Sequence, residues 1–218
     1  MGIIINYWSE KKGGPTKAEK EEQRQLWVDL LNQLCKGAKL TADDLTDGPS
    51  AVISMTPNFC SPMPSGAGCK CLCKLLESKD HNVELIMAPA DSMAPAETTP
   101  DDIDGISLPG MGSDATVTLK ILHGGTGYYL RKKNGDVSKD KIPDYVLLGH
   151  ELCSHVARMF EGTHPARAND GGVLDPNLAA ALAGDVDDDE ALAIENAIRD
   201  ENGLPRREKD DTVVPKEH

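Results

Sequence analysis

Aromatic residues make up only 4% of this 218-residue chain, so its core must be aliphatic and modest. A chain of this length can still bury one without disulfide staples. No run of eighteen apolar residues occurs, and we expect no transmembrane helix. Residues 1–12, three isoleucines followed by charge, lack the apolar stretch and cleavage site of a secretory signal. Basic residues are scarce beside acidic ones, 23 against 36, and the net charge is −13. That balance excludes a nucleic-acid binder that works through a basic face. The Gly-rich stretch 123–127 has no GK[ST] and opens no helix, so it is read as a hairpin turn rather than a phosphate loop. What remains is a soluble acidic domain whose composition says nothing about its chemistry.

The six cysteines lack the CxxC pairs of structural zinc sites. Cys69, Cys71 and Cys73 alternate too tightly to bridge one another, and with Cys60 they form a cluster that could in principle hold zinc. Cys35 and Cys153 fall in apolar helical segments, where a thiol behaves as a small hydrophobe. Free thiols and a reducing compartment are therefore the expectation.

Charge is unevenly placed. Residues 91–114 carry six acidic side chains and no basic one, and residues 171–218 carry thirteen acidic and five basic. Both read as solvated segments. Asp187, Asp188, Asp189, Glu190 and Glu195 crowd the second, where a negative field would favour a cation and basic substrate segments.

Thr16 with Glu19 makes a capping box, and Leu26, Trp27, Leu30, Leu31 and Leu34 then recur at helical spacing up to Gly37. A Pro/Gly/Ser-rich loop at 61–68 leads to a short helix through Leu72, Leu75 and Leu76. Val83, Leu85 and Met87 read as a strand, and residues 88–113 as an irregular excursion. Ala115, Val117, Leu119 and Ile121 alternate with polar residues in the best strand signal of the chain. Residues 128–131 are expected to return as its partner, with a tight turn at Asn134-Gly135. A second helix is expected from about 145 to 160, closed by Gly162. A third is expected in two pieces, 178–183 and 190–202, followed by a disordered charged tail.

Within the second helix the chain reads Gly149-His150-Glu151-Leu152-Cys153-Ser154-His155. Two imidazoles on one helical face can hold zinc, and a carboxylate beside the first can act as general base toward a water that the metal acidifies. The histidines stand at i and i+5, however, and on a regular helix their directions differ by roughly 140°. A π-turn, with i→i+5 hydrogen bonds, would bring them together. Two other readings are a dead site in which Ser154 replaces a ligand and a core helix that merely contains histidines.

The pattern resembles the HExxGH form of dipeptidyl-peptidase III, with Ser154 in place of the glycine. Gly149–His155 with Gly162-Thr163-His164-Pro165, and the later block Ile194-Glu195-Asn196…Ile198-Arg199…Glu201…Gly203-Leu204-Pro205…Arg207, resemble bacterial zinc metallopeptidase domains. These are related to NleD-like effectors and occur in type III, type VI and Rhs-type toxin systems. Residues 112–119 also resemble the strand before the active helix of that group. The likeness covers about residues 110–207.

It implies an α+β, zincin-like fold: a small mixed or antiparallel sheet with an active-site helix and a C-terminal ligand-bearing helix. The parts would be an N-terminal region (1–110) packed on the catalytic core, a metallopeptidase core (111–207) and a flexible tail (208–218). It implies Zn²⁺ held by His150, His155 and Glu195, with Glu190 or His164 as substitutes for the third ligand and Glu151 as the base. Oxyanion donors would come from among His123, Tyr128, Tyr129, His164 and Arg199. The strand at 115–121 would pair with an extended substrate. The expected activity is hydrolysis of peptide bonds in a protein by a secreted or injected effector or toxin, made in the cytoplasm without a cleavable signal. A cognate immunity protein or secretion carrier would be its partner, and neither nucleic acid nor membrane is expected. The alternatives are a catalytically dead zinc-binding interaction protein and a cytosolic housekeeping metallopeptidase.

Overall fold

A computed structural model describes residues 2–9, 12–45, 50–56, 58–87, 95–102, 110–120, 127–163 and 176–215, with the backbone alone over 176–188. Among them, nine strands and five α-helices form an α+β architecture. No described helix is long and apolar enough to cross a membrane.

The larger sheet has six strands in the order β2-β3-β1-β4-β6-β5. β1 (Ile3–Asn6), β4 (Val83–Met87) and β6 (Ala115–Leu119) run parallel at its centre. β3 (Ser50–Met55) and β2 (Leu40–Asp44) add antiparallel on one side, and β5 (Ala96–Pro100) on the other. Alternation decides the faces. Ile3, Ile5, Val83, Leu85, Ala115, Val117 and Leu119 are buried in one core with the helices, while Ile4, Glu84, Thr116 and Thr118 stay half-buried. Strands from residues 1–110 and β6 thus share one sheet and one core.

Helix α1 (Lys17–Leu34) starts at the expected capping box: the Glu19 amide donates to Thr16 Oγ1, and the Thr16 amide donates to Glu19 Oε2 at 2.8 Å. It buries Trp27, Leu30, Leu31 and Leu34. Helix α2 (Ala67–Glu77) has no side-chain cap of its own. Glu201 reaches across from another helix to accept from the Ala67 amide at 2.6 Å, satisfying one of the orphan donors of its first turn.

The cysteine reading is corrected. Three disulfides form, Cys35–Cys69, Cys60–Cys73 and Cys71–Cys153, and no cysteine is free. Tight spacing does prevent 69, 71 and 73 from pairing among themselves. Each instead finds a partner far along the chain, so α2 is bonded to the end of α1, to the loop before it and to the helical segment at 153. This leaves no thiolate cluster for zinc, and the expectation of a reducing compartment loses its basis.

Four further expectations change. The excursion at 88–113 contains β5, whose Ala96, Thr98 and Pro100 lie half-buried. β7 (Tyr128–Arg131) does not return against β6 but lies between β8 (Val137–Lys141) and β9 (Thr212–Pro215) in a second, antiparallel sheet. The turn at Asn134-Gly135 joins β7 to β8, with Gly135 at φ 92°. Within the charged tail, residues 212–215 form β9 because β7 has an edge to pair with, and a strand's unmet amides outweigh a weak local propensity. Finally, α5 (Pro176–Glu201) is one continuous helix through Gly184. A single glycine costs only about 1 kcal/mol in a helix this long. The hairpin expected at 123–127 falls mostly outside the described residues.

Candidate metal and catalytic site

Helix α3 (Asp144–His150) runs into a π-helical segment, Glu151–Val156, and then into α4 (Ala157–Glu161). The Ala157 amide bonds to the Leu152 carbonyl, an i→i+5 link, which is the geometry the histidine spacing requires. Ser154 Oγ donates to the His150 carbonyl, so the residue standing in place of glycine helps satisfy the backbone of the widened turn. Gly149 lets the segment sit deep: a Cβ there would meet Ile198 of α5 and Leu34 of α1, each at 2.8 Å. Gly162, at φ 65°, closes α4 with a left-handed cap.

The widened turn brings the two imidazoles together. His150 Nε2 and His155 Nε2 are 3.3 Å apart, and the rings meet edge to face with centroids 5.2 Å apart. One ligand atom each from His150, Glu151 and His155 lies within 4.8 Å of the others. Two nitrogens bound to one tetrahedral zinc at about 2.0–2.1 Å would stand about 3.3–3.4 Å apart, so this donor pair fits that ion.

Glu151 is buried, and its Oε2 accepts from Thr98 Oγ1 of β5 at 2.5 Å. The edge strand therefore fixes the carboxylate, a contact between residues 53 positions apart that no local pattern signals.

Glu195 does not stand where a third ligand was expected. Its Oε2 lies 3.1 Å from His150 Nδ1, the ring nitrogen remote from His155. Arg199 Nε donates to Oε1 at 2.7 Å and Arg207 Nη1 to Oε2 at 3.0 Å. The side chain is only 2% exposed. Burial by itself would raise its pKa, but the His150 hydrogen bond and the charges of Arg199 and Arg207 more than offset this and hold it at about 2. An ionised Glu195 makes His150 Nδ1 the protonated nitrogen and leaves Nε2 as a donor atom facing His155.

Glu190 is 58% exposed and pairs with Arg158 at 2.8 Å. His164 and His123 lie outside the described residues. Arg199 is committed to Glu195 and to the Pro205 carbonyl, and Tyr128 is buried in the second sheet. The expected negative field is also reduced, because Asp189 pairs with Lys209 at 2.7 Å and Glu190 and Glu195 with arginines; Asp187 and Asp188 have no described side chains. The strand proposed to receive substrate, β6, is interior, flanked by β4 and β5. Among the described residues the edge strand on this side of the sheet is β5, and β2 is the edge on the other.

No protein-family model, no curated protein and no solved structure matches the chain.

Proposed function

We propose that the chain is a zincin-like, zinc-dependent peptidase that hydrolyses peptide bonds of a protein substrate. The observation that carries this reading is the approach of His150 Nε2 and His155 Nε2 to 3.3 Å beside the Glu151 carboxylate. His150 and His155 would hold the ion. Zinc bound there would supply Lewis acidity toward a substrate carbonyl and toward water.

The rest is done by the chain. Thr98 ties one oxygen of Glu151, and the other takes a proton from water and passes it to the leaving amine. Glu195 sets the tautomer and direction of His150. The outer edge of β5 runs beside this carboxylate and offers main-chain groups to an extended peptide, which would add as a further strand. Three disulfides favour work outside a reducing cytosol. They support an exported protein, an effector or toxin, over a housekeeping enzyme.

The test is metal content and Glu151→Gln together. Purified protein should carry about one zinc, and His150→Ala with His155→Ala should lose it. Glu151→Gln should keep the metal and lose hydrolysis of an unstructured protein such as casein. Wild-type protein without bound zinc would overturn the reading. Full activity in Glu151→Gln would overturn the role of the base, and zinc without hydrolysis in the wild type would favour a binding protein.

A further inference from the structure

The Glu195 carboxylate is held by three partners, and one of them, Arg207, lies beyond the end of α5 in the segment that leads to β9. Arg207 bridges two places at once: Nη1 donates to Glu195 Oε2 at 3.0 Å, and Nε donates to the Asp211 carbonyl at 3.3 Å. Its backbone is clamped to α5 by Asn196, which accepts from the Arg207 amide at 2.8 Å and donates to its carbonyl at 2.9 Å. Asp211 is buried and takes the Lys132 ammonium and the Glu208 amide at 3.0 Å. The next residue opens β9, which pairs with β7 along its length.

The geometry shows why one arginine would not suffice. Arg199 holds Oε1, and Oε2 is left to face the imidazole. Without a second cation on Oε2, the carboxylate can turn to present both oxygens to the Arg199 fork, which prefers bidentate contact. His150 Nδ1 would then lose its fixed acceptor. Arg207 prevents that turn, and the second sheet holds Arg207.

We infer that Arg207 is a positioning residue for the metal site, acting through Glu195 on the direction and tautomer of His150, and that residues 204–215 complete the site as its outer brace. The inference rests on His150 as a zinc ligand, but its structural half can be read without zinc.

The experiment compares full-length wild type, Arg207→Ala, Arg207→Lys and Arg206→Ala. Arg206 is an exposed neighbour paired with Asp200, and its loss controls for removing one positive charge. Zinc affinity is measured by competition with a chromophoric chelator. The imidazole tautomers of metal-free protein are read by long-range proton–nitrogen correlation, with circular dichroism to confirm folding. Wild type should show His150 protonated at Nδ1. Arg207→Ala should shift it toward the Nε2-protonated tautomer and bind zinc roughly 10–100-fold more weakly, while Arg206→Ala matches wild type. Lysine keeps the charge but cannot bridge Glu195 and Asp211 together, so Arg207→Lys should fall between, and it serves as the test if the alanine variant does not fold. An unchanged tautomer and unchanged affinity in both Arg207 variants would overturn the inference and leave the peptidase reading standing. Wild type that binds no zinc, with the tautomer shift still present in Arg207→Ala, would overturn the peptidase reading and support the brace.

Discussion

Removing the Cys71–Cys153 bridge is the perturbation with the best-defined magnitude. The two cysteines are 82 positions apart, against 34 for Cys35–Cys69 and 13 for Cys60–Cys73. On the loop-closure account, the stabilisation from restricting the unfolded chain grows with the logarithm of loop length. It comes to about 4.5, 3.8 and 2.9 kcal/mol for the three bridges in that order. The values overlap little, because the segment between Cys71 and Cys153 contains only Cys73 of the other bridges and keeps nearly its full length when they are intact. Alanine is the right replacement, since both sites are buried and a serine hydroxyl there would need a partner. The Cys71→Ala/Cys153→Ala protein should lose about 4.5 kcal/mol in urea denaturation and melt roughly 9–18 °C lower. Cys60→Ala/Cys73→Ala should lose distinctly less. A cost below about 1 kcal/mol for the long bridge would refute the reasoning. So would six alkylatable thiols in unreduced wild type.

Thr98→Val keeps a β-branched side chain on β5 but removes the donor to Glu151. Loss of a hydrogen bond to a charged group of this kind predicts at least about a tenfold fall in kcat, with zinc content unchanged in the same samples. Glu195, held at about 2 against an ordinary 4.5, stabilises the fold when ionised. Its contribution of roughly 3 kcal/mol is fully present above pH 4.5 and disappears as pH falls toward 2. Urea midpoints of metal-free wild type should therefore fall across that window, with a shallower slope in Glu195→Gln, and equal slopes would contradict the assignment.

Local signals in the sequence were reliable where one element decides the matter. The Thr16–Glu19 box placed α1, alternation placed β6, and the five-residue histidine spacing required a π-turn, which the segment at 151–156 adopts. What escaped was set by partners distant in sequence. β2, with Asp43 and Asp44 at its end, reads as polar because it is an edge strand. β9 has only Thr212, Val213 and Val214 to announce it and depends on β7. Mutual spacing says nothing of how the cysteines pair, because their partners lie 13 to 82 positions away. At the site, the resemblance of the block from Glu195 to Arg207 implies a metal ligand at Glu195. In the structure Arg199 and Arg207 hold the carboxylate and Asn196 holds the Arg207 backbone, and recurring polar residues in a segment that turns back on its own helix are the available sign.

The β5 edge of the large sheet has a definite length. Asp101 donates to the Asp114 carbonyl and Lys120 to the Pro95 carbonyl, both at 2.9 Å, so the odd-numbered residues of this stretch bond inward to β6. The amides and carbonyls of Ala96 and Thr98 then point outward, and Pro100 adds a carbonyl without an amide. A chain laid along this edge finds two-way pairing at two residues and runs out at the proline. A proline there shortens the edge that a second copy could pair with. Thr98 is also the residue whose hydroxyl holds Glu151, so any strand registered on its backbone is centred against the carboxylate by the same residue.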